Sequence, residues 1–412
     1  MKTVGIGAGP AGLYFAIMMK LQDPGHDVTL LERHTSGATR GFGVTLSADL
    51  LRQLYHADPV SAAQVEQATF RCSGQIVDVG GVRVRSPEGG GLAITRHRLL
   101  SILASRAEEL GARIEFGHEV SRLAQLPAAD LTVISDGVNS RVREEAGVFQ
   151  ARLRASGNRV IWLNADMELP EFTHAFAHTS HGWVWAGAYG NGDGTSTFNV
   201  ECSAATWAGL GFDTLPVRGC VRRLEDIFER QLDGHHLFAE ERGSEQARWL
   251  TVRTVICQRW YHGSMVLAGD AAHATHFTIG SGTTLALEDA IVLAGSLRQH
   301  GELGRALAEY EQQRQAALVP RQTDAQFSSR WFENVPRYIS LPPHQFARVL
   351  WARRSPLVAR LPPRLSYLLL RASDRGSHPA AGLPAAAGLK SGLARPRRVM
   401  SPAIGVGARD GC

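Results

Sequence analysis

Three runs of residues have the types and spacing to do chemistry. The first, Gly7-Ala8-Gly9-Pro10-Ala11-Gly12, is a G-x-G-x-x-G placed after an apolar strand pattern and before a helical one. The first glycine of such a run permits a tight turn, the second lets bare backbone approach a pyrophosphate, and the third lets helix pack on strand. The helix that follows turns free N–H groups and a partial positive charge toward the phosphates. Glu32 stands twenty residues beyond Gly12, at the end of the next strand, where a carboxylate can accept hydrogen bonds from ribose hydroxyls. The second run, Ser135-Asp136-Gly137-Val138-Asn139-Ser140-Arg141-Val142-Arg143, follows a buried-strand pattern from Leu131 to Ile134. The third runs from Leu267-Ala268-Gly269-Asp270-Ala271-Ala272-His273 to Gly280-Ser281-Gly282-Thr283-Thr284 and a helix through Ala290. An Asp at the carboxyl end of a strand suits the hydroxyls of a dinucleotide, and glycines ahead of a helix bring N–H groups against a ring system.

The elements that must position these runs are legible in the same chain. Residues 2–32 read as strand, glycine turn, helix and strand, a βαβ unit broken at Pro24-Gly25, with Asp27 to Glu32 as its second strand. Leu99 to Leu110 are helically periodic, Gly111 is placed to cap them, and Arg113 to Phe116 and Leu131 to Ile134 read as strands. Residues 158–203 change texture to the alternation of half-buried antiparallel strands, at Val160 to Met167, Trp183 to Tyr189 and Thr195 to Cys202, with a turn at Asn191-Gly192-Asp193-Gly194. Period-two alternation sets Trp183, Trp185 and Tyr189 on one face, suited to roof a pocket. Residues 263–300 return to strand, glycine loop and helix, and 302–375 read as mainly helical, with no internal repeat.

Composition narrows the class. The chain has 412 residues, 44% hydrophobic and 20% charged, which is globular and excludes disordered and collagenous classes. No apolar run reaches the roughly 18 residues that span a bilayer, and Met1-Lys2-Thr3-Val4 is no basic leader, so a cytoplasmic protein without a membrane partner is expected. Cys72, Cys202, Cys220, Cys257 and Cys412 are scattered, with no C-x-x-C, which argues against disulfides, zinc and iron–sulfur clusters. His174, His178 and His181 imitate ligand spacing without carboxylate or thiol company, so no metal is expected. Cys202 reads as a small buried hydrophobe, and Glu288 and Asp289 as serving their helix through its dipole. The net charge of +5 first suggests an acidic partner. Yet the Gly/Ala/Pro-rich stretch 376–412 carries +4 of it, on Lys390, Arg395, Arg397, Arg398 and Arg409 against Asp410. That stretch reads as a disordered basic tail, the body keeps only +1, and nucleic acid loses its support as a partner.

The three runs, in this order, resemble the flavin-dependent aromatic hydroxylases of the para-hydroxybenzoate hydroxylase class, over about residues 1–370. Where that class carries prolines after Gly-Asp-Ala-Ala-His, this chain has Ala274-Thr275-His276-Phe277-Thr278-Ile279-Gly280-Ser281-Gly282-Thr283. This run, with Gly41-Phe42-Gly43-Val44, Ser196 to Cys202 and Arg330-Trp331-Phe332-Glu333, is similar to the branch of salicylyl-CoA 5-hydroxylase, 2-aminobenzoyl-CoA monooxygenase and the violacein-pathway tryptophan hydroxylase.

The resemblance implies an α/β (α+β) fold with a Rossmann-like FAD-binding domain of the glutathione-reductase type. That domain comprises 1–70, 92–157 and 250–300, with an antiparallel-sheet substrate domain inserted at 71–91 and 158–249 and C-terminal helices at 301–375. It implies FAD held by Gly7, Gly9, Pro10, Ala11, Gly12, Glu32, Arg33, Arg96, Asp136, Gly137, Gly269, Asp270, Gly280, Gly282 and Thr283. NADPH or NADH enters as a transient co-substrate, with no second G-x-G-x-x-G of its own, and O₂ reacts through a flavin C4a-hydroperoxide. His276, Gly282 and Thr283 are the candidate catalytic residues, His276 being read equally as a packing residue. Phe42, Trp183, Trp185, Tyr189, His276 and Phe277 are candidate substrate contacts, the two tryptophans being read as sheet core ahead of substrate platform. The implied reaction is hydroxylation of an electron-rich ring, an aryl-CoA such as salicylyl-CoA ahead of a tryptophan-derived indole, by a monomer or homodimer. A flavin reductase without oxygen insertion and a non-catalytic FAD-binding protein remain as alternatives.

Overall fold

Val4, Ile6, Val28, Leu30, Leu31, Leu131, Val133 and Ile134 are buried on both faces of their strands, and strands of that kind build parallel sheets covered on both sides. A computed structural model describes residues 1–37, 42–239 and 248–376. Its six-stranded sheet runs in the order Tyr261–His262, Met265–Leu267, Leu131–Ile134, Lys2–Ile6, Asp27–Glu32, Arg113–Phe116, parallel except for the first pair. Lys2–Ile6 lies between Leu131–Ile134 and Asp27–Glu32, so the loops leaving neighbouring strands diverge there and open a crevice at their carboxyl ends. All three motif runs begin at those carboxyl ends, after Ile6, Ile134 and Leu267. Helix Pro10–Gln22 packs on helices Arg96–Glu109 and Gly282–Gln299. Gly111, at φ +88°, ends helix Arg96–Glu109 as the sequence implied.

A seven-stranded sheet follows the order Leu237–Phe238, Asn158–Ala165, Ser196–Ser203, Gly182–Gly190, Phe172–Thr179, Gln75–Val79, Val82–Ser86. It is not wholly antiparallel: Phe172–Thr179 pairs parallel with Gln75–Val79, because the latter strand arrives from a distant part of the chain rather than through a hairpin. The strand expected at Val160 to Met167 spans Asn158–Ala165 and stops where Asp166 turns to accept the His236 N–H at 2.7 Å. One face, with Ile161, Leu163, Val184, Ala186, Phe198, Val200 and Cys202, packs on the helices between Ala204 and Leu232. On the other, Phe176 and Trp185 pack with Trp331, Phe332 and Phe346 of the C-terminal helices. Those helices begin with Leu303–Glu333, which continues through Pro320, and include Pro343–Trp351.

Met1–Leu370 forms one compact unit. The second, Arg371–Cys412, is described only as the end of helix Pro363–Gly376. The tail reading therefore lies outside the described residues apart from Gly376, which is helical. Among the described residues, Cys72, Cys202, Cys220 and Cys257 are free and buried, no side-chain group could hold a metal, and no helix is long and apolar enough to cross a membrane.

Candidate active site

Gly7 adopts φ +94°, and its N–H donates to Leu31 O at 2.8 Å, which turns the chain off the first strand. A Cβ on Gly7 would stand 2.7 Å from Ser135 O, and one on Gly12 2.2 Å from Gly7 O and 2.8 Å from Ser135 Oγ. Ser135 Oγ donates to the carbonyls of Ile6 and Gly7, so the first two motif runs are stitched together. A Cβ on Gly9 meets nothing within 4 Å. Of the three glycines, two are required by the protein's own packing and one faces open space. Glu32 accepts the N–H groups of Ala8 at 2.8 Å and His34 at 2.9 Å, one on each carboxylate oxygen, which fixes it beside the glycine turn.

Asp136 follows, its Oδ1 buried and unpartnered. Burial pushes its carboxyl upward against the pull of Ser140 and Arg143. Arg143, fully buried, donates to Ala271 O and Val138 O at 2.9 Å each and so ties the second run to the third. Asp270 has its carboxyl raised by burial, opposed by His273 and Arg96. The Arg96 guanidinium is lowered by burial while Asp270 and Glu32 support its charge, so it lies in the field of both.

Beneath this turn the expectation for Asp289 fails. Rather than serving its helix through the dipole, it is a buried hub: it accepts the Gly269 N–H at 2.8 Å, meets His273 Nε2 at 2.7 Å, and pairs with Arg314 Nε at 2.7 Å. Burial alone would raise it, but His273 and Arg314 outweigh that and hold it below the usual carboxylate range. Glu288 adds an ion pair to Arg314 at 3.0 Å. The glycine loop is thus bolted to two helices by charge that the sequence pattern does not flag. Gly280, at φ +63°, then lets the chain enter helix Gly282–Gln299, whose N-terminus has no side-chain cap and no acid in its first turn.

These pieces line one cavity of about 2240 Å³. On its wall are Gly7, Gly9, Pro10, Ala11, Glu32 and Arg33, then Arg96, Asp136, Gly137, Gly269 and Asp270, and at the far end Gly280, Gly282 and Thr283. Gly12 is not on the wall; it acts through packing. Of the candidate substrate contacts, Phe42, Trp185, Tyr189 and Phe277 line the cavity. Tyr189 donates to Gly43 O at 2.9 Å and stacks on Phe172. Trp162 meets Phe277 edge-on at 5.5 Å.

Two candidates stand elsewhere. Trp183 shares the Trp185 face, but at the strand's end it packs with His178 and the C-terminal cluster, because the cavity covers only part of that face. His276 is 2% exposed and off the wall, stacked on Phe277 with Nδ1 3.1 Å from Thr278 Oγ1. The chain turns between Thr275 and Phe277, which line the cavity, so the residue between them points into the packing.

Sequence reading assigned no site role to Arg143, Arg314, His174, Glu201 or Arg353. Glu201 and His174 alternate onto the same sheet face as Trp185, a signal that strand periodicity offers once the cavity side is known. Arg353 comes from the C-terminal helices and had no such signal. It donates to Ser328 Oγ and Thr278 O, lies 5.6 Å over Phe332, and is pulled down to about 9 by burial and Arg354.

A family model described as an FAD binding domain matches residues 1–128 and 127–320. Salicyloyl-CoA 5-hydroxylase of a Streptomyces species is 36% identical over 362 residues, covering 84% of this chain and 68% of the relative. The 3-hydroxy-4-methyl-anthranilyl-[aryl-carrier protein] 5-monooxygenase of Streptosporangium sibiricum is 31% identical over 82% of this chain and 90% of its own length. Protodeoxyviolaceinate monooxygenase of Chromobacterium violaceum is 28% identical over 90% of this chain and all of its own. The fold is also that of 2-methyl-3-hydroxypyridine-5-carboxylic acid oxygenase in its tetrameric form, with a TM-score of 0.67 at 21% identity over 88% of this chain and 97% of that one. With a dinucleotide crevice, an uncapped helix and an aromatic roof around one cavity, the chain belongs to the FAD-dependent aromatic monooxygenases, class A flavin hydroxylases of the branch that includes these relatives.

Proposed function

We propose that this chain hydroxylates an electron-rich aromatic ring presented as an aryl thioester, using FAD, O₂ and NADH or NADPH. The observation that carries the reading is the single cavity that joins the glycine cradle at Gly7 to the aromatic roof at Trp162 and Trp185. The thioester is favoured because two relatives are named for aryl groups carried on CoA or on an aryl-carrier protein. A tryptophan-derived indole is the second reading, favoured by the relative named for protodeoxyviolaceinate.

The residues present fit FAD. Gly9 leaves open space at a helix N-terminus, Asp136 Oδ1 is a buried acceptor in want of a hydroxyl, and the helix at Gly282 offers uncapped N–H groups. In this reading the Gly9 to Ala11 backbone holds the pyrophosphate, Glu32 the ribose, Arg96 and Asp136 the chain between, and Gly282 and Thr283 the ring. When bound, FAD supplies the electron transfer and oxygen activation. The protein's own contribution is to orient the substrate ring between Trp185, Tyr189 and Phe277, to exclude water from that end, and to hold positive potential there through the helix dipole and Arg353. The division into a discontinuous FAD-binding part, an inserted sheet part and C-terminal helices is proposed with it.

Stopped-flow reduction of the bound flavin by NADH and NADPH, against salicyloyl-CoA, 2-aminobenzoyl-CoA, tryptophan and free phenolic acids, tests the reading. Aryl thioesters should accelerate reduction, and ¹⁸O from O₂ should enter the product. Acceleration by tryptophan alone would replace the thioester with the indole, and product without ¹⁸O would make the protein a reductase.

A further inference from the structure

The strand Ser196–Ser203 turns Thr197, Asn199 and Glu201 to one face, opposite the core residues Phe198, Val200 and Cys202. Thr197 is occupied, accepting from Gly43 N–H and donating to Asn191 Oδ1. Asn199 and Glu201 line the cavity. Glu201 is 3% exposed and receives one hydrogen bond, from Asn158 Nδ2 at 2.7 Å. Asn199 Oδ1 is buried with no partner. The charge that acts on Glu201 comes from Glu333 of the long helix and has the same sign. A buried carboxylate and a buried amide oxygen, both short of donors, cost free energy until donors arrive. They open onto the end of the cavity lined by Trp162, Trp185 and Phe277, where a ring would lie.

We propose that Glu201 recognises a hydroxyl or amino group on the substrate ring, with Asn199 Oδ1 as a second acceptor, and that Glu201 takes the proton of a ring hydroxyl. The inference rests on the aromatic-hydroxylase reading and names the substituent that the substrate must carry. Proton transfer breaks the ring O–H bond and forms a carboxyl O–H bond. The negative charge passes from Glu201 to the ring oxygen, which enriches the ring for attack by an electrophilic oxygen, and no other reactant is consumed. Burial raises the Glu201 carboxyl to about 7, with Glu333 adding to the rise. The Asn158 hydrogen bond opposes it, as does the Trp185 indole, which lies directly across on the next strand without completing a hydrogen bond. A base poised near neutrality is matched to this work.

The test compares salicyloyl-CoA with its 2-methoxy analogue, which has no proton to give, on the FAD-loaded wild type and on Glu201→Gln. Wild type should bind the hydroxy ligand at least tenfold more tightly than the methoxy one. The absorbance of the bound ligand should show ionisation at lower pH than in free solution, and kcat should rise with pH through about 7. In Glu201→Gln the preference should collapse, the ionisation should return by a pH unit or more toward its free value, and kcat should fall by about 10²-fold or more. Should the variant fail to retain FAD, the wild-type comparison decides alone, since equal binding of the two ligands overturns the proposal. Retention of the preference and the ionisation midpoint in Glu201→Gln also overturns it. A wild type that binds neither ligand removes the thioester reading, and this inference with it.

Discussion

The two ends of the cavity are built from different materials. At Gly7, Gly9 and Gly282 the wall is backbone, shaped by residues that lack side chains and backed by Gly12 behind it. At Trp162, Trp185, Glu201 and Phe332 it is side chain, contributed by strands and helices far apart in sequence. A backbone wall can be written only with glycine, with fixed spacing, and at the carboxyl ends of parallel strands, so chemistry and sequence are tightly linked there. A side-chain wall needs alternation and burial alone, and many residue types satisfy both. The first end can therefore stay constant while the second changes substrate.

Substitution at the glycines should break the backbone end in two distinguishable ways, with the largest effects on stability and FAD binding expected anywhere around the cavity. Gly12→Ala drives a Cβ to 2.2 Å from Gly7 O, a backbone atom that cannot step aside without moving the turn. We expect overpacking of about 3 kcal/mol, seen as a lower Tm of the apoprotein and roughly a hundredfold weaker FAD binding. Gly9→Ala meets no protein atom within 4 Å. Its apoprotein should melt with wild type while FAD binding still weakens, because the added methyl occupies the space where backbone would meet pyrophosphate. Equal Tm losses in both variants would show that Gly9 is also a packing glycine, and the distinction would go.

The same difference explains what could be read from the sequence. Asp27–Glu32 and Leu131–Ile134 were legible to the residue because each is a short, mainly apolar run bounded by charges or turns, and Arg113–Phe116, which is mostly exposed, because it follows the helix cap at Gly111. The crevice glycines and Glu32 followed from spacing, whereas Arg33 and Arg96 came only from the family resemblance. The Asp289 hub did not, since its partners His273 and Arg314 lie 16 and 25 residues away, and no local pattern distinguishes a buried ion pair from a solvated one. The parallel pairing of Gln75–Val79 was hidden for a similar reason: strand content is local, but strand partners are not. At the roof, alternation correctly gave Trp183 and Trp185 one face but could not tell where along that face the cavity ends.

His276 marks the boundary between the two walls, and acid titration can fix its side. Burial holds its imidazole down at about 4, whereas an unfolded histidine titrates near 6.5. Between those values the unfolded chain binds the extra proton, so the fold is weakened as pH falls from about 6.5 to about 4. The full loss from this residue is about 3 kcal/mol. His174, also held low by burial and by Arg353, acts in the same sense and is present in both proteins compared. In His276→Phe, urea melts between pH 7 and 4.5 should show a shallower acid slope. A variant with the wild-type slope would mean that the ring meets solvent, and would return His276 to the cavity.

The smallest expected effect separates two tryptophans on one strand. Trp185 lines the cavity and stacks near Phe332 at 6.2 Å, while Trp183 packs beyond it on His178. Trimming Trp185→Phe removes indole surface from the substrate end and loosens an aromatic pair, an effect of about 0.5–1.5 kcal/mol. That corresponds to a rise in KM of roughly three- to tenfold. Trp183→Phe should leave KM within about twofold and appear only as lost stability, and FAD affinity should stay level in both, because neither ring belongs to the backbone wall. Equal KM changes in the two variants would extend the substrate site to the strand's end, and a matching loss of FAD affinity would erase the division between the walls.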